Sequence, residues 1–425
     1  MGVCRMATQA TPCECLRTIQ PQTADGVRYV ARQPILDLRG RVHGYELLFR
    51  NGPEASFRGD GDLATRTMLD NTVIFGLERL TGGLTAFVNC TREALTGNLV
   101  DVLAPSMFVL EILESLEPTN ELVDACRRLK AAGFRLALDD FRWKPGLEPL
   151  VELADYIKVD FTISGPKERL ELLGRLRGAA VALVAEKIET PEDYGQACAE
   201  GFTLIQGYYF CRPQIIENRK VPVNRLSHIE ILRLLREDSI DLHALAGLVK
   251  RDASLTYRLL RLINSPVCAL RQEVRSVEAA LIAVGEDGFR RIATLAITSE
   301  LNAGQPVELL RMAFVRARFC ELAAEMCQLK PTEQYLLGLL SLLPAMLRQP
   351  MEKLTPLLPL REEICLALMG AGIPERRLLE WLICHEHGDW AASDSIAEAY
   401  GLNPSELLHH YAEAVVWAEA AFHFA

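Results

Sequence analysis

No apolar run in this 425-residue chain reaches the length a bilayer requires, and the first residues lack the hydrophobic stretch of a signal peptide. A cytoplasmic protein with no membrane partner is the expectation. Basic segments are also missing. Lys and Arg total 46 against 56 Asp and Glu, for a net charge of −10, and no stretch dense in Lys and Arg offers a stripe for duplex phosphates. Direct nucleic-acid binding is therefore disfavoured. The cysteines number twelve, yet they do not make a disulfide scaffold. Cys90, Cys126, Cys198, Cys320, Cys327, Cys365 and Cys384 sit singly within apolar segments, where a reduced thiol acts as a small core residue. Cys4, Cys13 and Cys15 lie in a polar start without a fourth ligand for zinc.

What is present is an ordinary folding composition, 49% apolar and 24% charged, in a chain longer than one core usually organises. Residues 1–25 lack periodicity and read as a flexible leader. From 26 to 215, strands alternate with helices. VRYVARQPIL and VHGYELLF, separated by Asp37 to Arg41, read as a hairpin, and helical spacing falls near 62–80, 92–102, 119–132, 146–154, 166–178 and 191–200. From 216 to 425 the spacing is helical throughout, with Pro213 and Pro222 at the change. The fold class is thus α/β plus all-α: a (β/α)8-type barrel opened by a hairpin, followed by a helical domain.

The barrel strands share a common ending. TAFVNC carries Asn89, FVLEIL Glu111, RLALDDF Asp139 and Asp140, YIKVDF Lys158 and Asp160, ALVAEKI Glu186, and TLIQGYYF Gln206. Catalytic groups collect at the carboxyl ends of parallel barrel strands. Glu46, Asn89, Glu111, Asp139 and Asp140 are hard oxygen ligands of the kind that hold Mg²⁺ or Mn²⁺. Lys158 and Glu186 can orient a water, and Gln33 and Arg50 can grip phosphate or base edges. The structural alternative is internal pairing, of Lys158 with Asp160 or Arg50 with Glu46.

In order and spacing across residues 27–213, this series resembles the EAL domain of cyclic di-GMP phosphodiesterases. The matching stretches are Gln33-Pro34-Ile35, Glu46-Leu47-Leu48-Phe49-Arg50, Val88-Asn89, Glu111-Ile112-Leu113-Glu114, Asp139-Asp140-Phe141, Lys158-Val159-Asp160, Ala185-Glu186-Lys187-Ile188-Glu189-Thr190 and Gln206-Gly207-Tyr208. The resemblance implies a barrel that hydrolyses cyclic di-GMP to pGpG over two Mg²⁺ or Mn²⁺ ions. It implies that Glu46, Asn89, Glu111, Asp139 and Asp140 hold metal, that Lys158, Glu186, Glu189 and Gln206 arrange the water and support the metals, that Gln33 and Arg50 contact substrate, and that Glu114 anchors the loop after the paired Asp residues. Lys187 stands where the family usually has Gly. After Phe141, Arg142-Trp143-Lys144-Pro145-Gly146 replaces the usual Gly-Thr-Gly-Tyr-Ser-Ser loop.

The second half is similar to an HDOD domain, through residues 244–266, 276–292 and 335–346. Ser341 and Leu342 occupy the place of the His-Asp dyad of catalytic relatives, and no His-Asp dipeptide exists in the chain. His385 and His387, flanking Glu386, fall on different helix faces and read as a solvated helix end. The resemblance implies protein interaction through this half, with an unidentified protein partner. A homodimer through either half is open. Three functions follow as expectations: a cyclic di-GMP phosphodiesterase of low or regulated activity, an inactive cyclic di-GMP receptor, or a scaffold that binds no nucleotide.

Overall fold

The computed structural model describes residues 28–51, 81–97, 99–211, 231, 249, 253–265, 268, 270, 272, 274–302, 305–358 and 360–422. The expected leader and the expected helix at 62–80 lie outside these residues. Eight strands close a barrel in sequence order: β1 (Arg28–Asp37), β2 (Val42–Asn51), β3 (Thr85–Cys90), β4 (Phe108–Ile112), β5 (Arg135–Leu138), β6 (Tyr156–Asp160), β7 (Ala182–Glu186) and β8 (Leu204–Gln206). β1 runs antiparallel to both β2 and β8, and the remaining pairs are parallel, as an opening hairpin requires. The hairpin turns at Gly40, whose φ of +74° suits glycine.

Among the described residues, five helices alternate with the later strands: α1 (Arg92–Thr96), α2 (Asn120–Ala131), α3 (Glu148–Val151), α4 (Pro166–Arg175) and α5 (Pro191–Glu200). The helix expected over 92–102 is split: α1 stops at Gly97, and Leu99–Val102 form a separate 3₁₀ turn. Thr91, Thr119 and Thr190 cap α1, α2 and α5 by accepting from the backbone N–H groups of Ala94, Leu122 and Asp193. Each cap contributes about 1 kcal/mol and fixes where a strand end hands over to a helix.

Strand periodicity decides which side chains enter the barrel. Ile35, Phe87, Val109, Ala137, Tyr156, Val184 and Leu204 form a closed apolar core of their own. Side chains two residues apart on a strand share a face, so Asn89, Glu111, Asp139, Lys158, Glu186 and Gln206 stand in the layer above this core. On β1, which runs the other way, the corresponding residue precedes Ile35 and is Gln33, directly opposite Glu46 of β2.

Among the described residues, the helical half has α6 (Ala253–Ile263), α7 (Val277–Leu301), α8 (Val307–Ala323), α9 (Pro331–Leu340), α10 (Leu343–Leu347), α11 (Met351–Leu354), α12 (Glu362–Leu368), α13 (Arg377–Glu386), α14 (Trp390–Tyr400) and α15 (Pro404–Phe422). It lies against the opening hairpin. A hairpin has no crossover helix to cover its outer face, and here α8, α13 and α15 supply the cover. Arg32 of β1 pairs with Glu419 of α15 at 2.9 Å, the Tyr45 hydroxyl of β2 donates to Glu308 of α8 at 2.8 Å, and Arg311 reaches Glu308 at 3.1 Å. These charges are buried and mutually paired, the condition under which buried ions are tolerated. The outer barrel core and the helical core form one continuous apolar cluster.

His385 and Glu386 are buried, contrary to the expectation of a solvated helix end. His385 Nε2 lies 3.1 Å from the Val30 carbonyl oxygen, and Arg316 holds the Glu386 carboxylate at 2.7 Å. Packing is the physical reason: β1 covers His385 and Arg316 of α8 covers Glu386, whereas His387 remains exposed. The nine described cysteines are all free thiols. No described helix is long and apolar enough to cross a membrane.

Candidate active site

Lys158 organises the barrel mouth. Its ammonium is fully buried and stands 2.9 Å from Glu46, 2.7 Å from Glu111, 2.8 Å from Asp139 and 2.9 Å from Glu186. An ammonium has three protons, so it cannot hydrogen-bond four carboxylates equally. It donates to Glu46 and Asp139 and is ion-paired with Glu111 and Glu186. The expected alternative pairing of Lys158 with Asp160 does not form.

Two amides complete the ring. Asn89 Nδ2 donates to Glu46 Oε1 at 3.1 Å, and Gln206 Nε2 donates to Glu46 Oε2 at 2.6 Å and to Gln33 Oε1 at 3.2 Å. Electrostatics follow from crowding. Burial pushes the Glu111 carboxyl well up, helped by Glu46 and Asp139 and opposed by Lys158. Burial likewise raises Glu186 to about 8. Burial also acts against ionised Glu46, but Lys158, Gln206 and Asn89 outweigh it and hold that carboxyl below its usual range.

Several buried acceptors in this ring have no donor: Asn89 Oδ1, Glu111 Oε2, Glu186 Oε2 and Gln206 Oε1. Unpaired buried oxygens facing one another are costly unless a cation joins them. Four carboxylates around a single ammonium therefore fit a hard divalent cation, whose ligands would be oxygen atoms of this kind. Asp139, Asp140 and Glu114 also bring carboxylate oxygens within 4.8 Å of one another, so Glu114 sits beside the paired Asp residues.

Asp140 and Lys187 take left-handed backbone, with φ of 41° and 56°. Such conformations are uncommon outside glycine, and here they turn the two side chains toward each other. Lys187 donates to Asp160 Oδ2 and stands 3.9 Å from Asp140. Asp160 accepts from the Thr162 N–H and hydroxyl, both at 2.6 Å. Burial opposes its ionisation, but these bonds and Lys187 hold its carboxyl below the usual range. Asp160, named among the strand endings but given no role from sequence, thus joins the candidate site two residues beyond Lys158 on the same strand face. Glu189 is exposed on the loop after Lys187. Arg50 belongs to β2, but its side chain lies outside the description.

The loop after Phe141 is fastened differently from what Glu114 would provide. Trp143 packs edge-on against Phe141, with ring centroids 6.2 Å apart, and the Arg175 guanidinium of α4 lies over its ring. Arg142 pairs with Glu168 of α4 at 2.9 Å. At the last strand, Gly207 is required: a Cβ there would fall 2.2 Å from the Ile188 carbonyl oxygen. This close approach directs Tyr208 toward the helical half. In the helical half, Arg316 donates to the Ser341 hydroxyl at 3.2 Å and also holds Glu386.

Comparison with known proteins gives two domain matches. The HDOD domain pattern matches residues 224–349, and the EAL domain pattern residues 93–213. Cyclic di-GMP phosphodiesterase CdgJ of Vibrio cholerae is 32% identical over 398 residues, covering 92% of each chain. YuxH of Bacillus subtilis is 32% identical over 400 residues, covering 92% of this chain and 97% of its own. Among solved structures, the EAL domain protein of Listeria monocytogenes EGD-e is 23% identical with a TM-score of 0.36, over 43% of this chain and 87% of that one. Likeness sustained along nearly the full length of two relatives, with an EAL domain ahead of an HDOD domain, shows that the chain belongs to the EAL–HDOD family.

Proposed function

We propose that this protein binds cyclic di-GMP at the barrel mouth and hydrolyses it to pGpG at a low or regulated rate. The observation that carries the reading is the ring of Glu46, Asn89, Glu111, Asp139, Glu186 and Gln206 around Lys158, with acceptor oxygens left unpaired. Glu46, Asn89, Glu111, Asp139 and Asp140 would hold Mg²⁺ or Mn²⁺. When bound, the ions supply the positive charge that neutralises a phosphoryl group and acidifies a water.

The chain's own residues do the rest. Glu186 and Lys158 orient the attacking water, with Glu189 in support. Gln206, bonded to both Glu46 and Gln33, ties the metal side of the cleft to the substrate side. Gln33 and Arg50 grip the nucleotide. Water enters at phosphorus, one P–O bond of the ring breaks, and the linear dinucleotide leaves. The helical half binds a protein partner.

A second reading, a receptor that binds without turnover, is favoured by two observations. Lys187 neutralises Asp140 and Asp160, and the loop after Phe141 is anchored to α4. The test is to incubate full-length protein with cyclic di-GMP and Mn²⁺, resolve the products by chromatography, and repeat with EDTA and with Glu46→Ala. Metal-dependent pGpG that the variant does not release establishes the enzyme. Stoichiometric binding of intact nucleotide establishes the receptor, and neither outcome leaves a scaffold.

A further inference from the structure

Gln33, on the substrate side of the cleft, is already engaged. Its Nε2 donates to the carbonyl oxygens of His387 at 3.1 Å and Glu386 at 3.5 Å, while its Oε1 accepts from Gln206. Beside it, the His387 imidazole lies face to face with Tyr208, with centroids 4.1 Å apart and planes 28° from parallel. The Tyr208 hydroxyl donates to the Glu386 carbonyl. A flat nitrogen-bearing ring stacked on an aromatic side chain, with an amide serving hydrogen-bonding edges alongside, is how proteins hold an unpaired nucleobase. In this chain its own helical half fills both contacts.

The segment is presented, not merely adjacent. Glu386 ends α13 and His387 caps it, and the last carbonyls of a helix have no partner within the helix. Gln33 and Tyr208 satisfy two of them. Arg316 grips the Glu386 carboxylate from behind. Gly388 follows with φ of +72°, and a Cβ there would lie 3.0 Å from Leu48 Cδ1, so the chain passes close over β2.

We propose that Glu386, His387 and Gly388 plug the nucleobase end of the cleft, so that cyclic di-GMP and the docked helical domain compete for Gln33 and Tyr208. The inference rests on the cyclic di-GMP reading of the barrel. Nucleotide that takes only the unplugged form binds with its affinity reduced by the unplugged fraction. By reciprocity, bound nucleotide drives the plug out and frees the end of α13. The second messenger is then read as a change in what the helical half exposes.

The test compares full-length wild type, His387→Ala and Gly388→Ala. Affinity for cyclic di-GMP is measured by titration calorimetry in Ca²⁺, a loosely coordinating ion chosen to limit turnover. Hydrogen exchange across residues 377–400 is followed with and without nucleotide. His387→Ala removes the stack, and Gly388→Ala forces a methyl toward Leu48 in left-handed backbone; neither replaces a barrel residue. Both variants are expected to bind about two- to tenfold tighter, the range a lost aromatic stack allows. Nucleotide should speed exchange at the end of α13 in the wild type, and the variants should be fast without it. Equal or weaker binding by both variants, with exchange unmoved by nucleotide, overturns the plug while leaving the nucleotide site standing. No binding by any of the three proteins overturns the nucleotide reading and the plug with it.

Discussion

Lys187 donates to the Asp160 carboxylate across the barrel mouth, joining the end of β7 to the end of β6 with a charge from the chain itself. The same ammonium stands 3.9 Å from Asp140. A fixed cation between two carboxylates competes with any divalent ion that would use them. Lys187→Gly should therefore raise Mn²⁺ uptake, adding a site or tightening one by about tenfold, the scale of a supporting contact at a metal centre. Glycine suits the φ of 56°, so the fold should be unharmed. Mn²⁺ titration of the nucleotide-free protein checks this, and unchanged uptake would refute it.

Replacing Lys158 tests the opposite charge balance. Lys158→Met keeps most of the volume but leaves four carboxylates facing one another in a buried ring. Removing one partner of a buried ionic group costs about 3–5 kcal/mol. Denaturant unfolding in EDTA should show a loss of that order. Added Mn²⁺ should restore much of it if the ring takes a cation, whereas a purely structural ring would gain nothing from the metal.

Acid should loosen the seam between the halves. Burial lowers the His385 imidazole to about 4, against 6.5 for the free group, although its bond to the Val30 carbonyl pulls the other way. Between pH 6.5 and 4 the unfolded chain binds a proton that the folded chain refuses. This contribution to stability is intact above pH 6.5 and falls by about 1.4 kcal/mol per pH unit inside the window. Chemical denaturation across pH should show the slope, and His385→Gln should reduce it by about one proton.

Trp143 offers a test of the replaced loop. Its ring bridges Phe141, next to the paired Asp residues, and Arg175 of α4. Trp143→Ala should free the loop and weaken Mn²⁺ binding about tenfold or more, as lost supporting contacts do. Mn²⁺ titration measures it. An unaltered affinity would mean that Glu114, not Trp143, steadies Asp139 and Asp140.

Much of the site was legible because a strand has a period of two. Once Phe87, Val109, Tyr156, Val184 and Leu204 are read as inward-facing, Asn89, Glu111, Lys158, Glu186 and Gln206 must share the layer above. Asp160 follows by the same step from Lys158. Partner choice was less accessible. That Lys158 binds Glu46, Asp139, Glu111 and Glu186 while Asp160 turns to Lys187 depends on two left-handed residues, Asp140 and Lys187, that no periodicity announces. The seam was hidden for a different reason. His385 and Glu386 look like polar residues at a helix end, and their burial depends on β1, more than 340 positions away in sequence.

The apolar cluster that runs without a break from the barrel's outer shell into the helical bundle makes the two halves one folding unit despite their separate sequence signatures. Cutting the chain between them would lay bare the outside of the β1–β2 hairpin and strand the Arg32 guanidinium without Glu419. The severed barrel would then aggregate, and the intact protein should melt in a single transition instead of two.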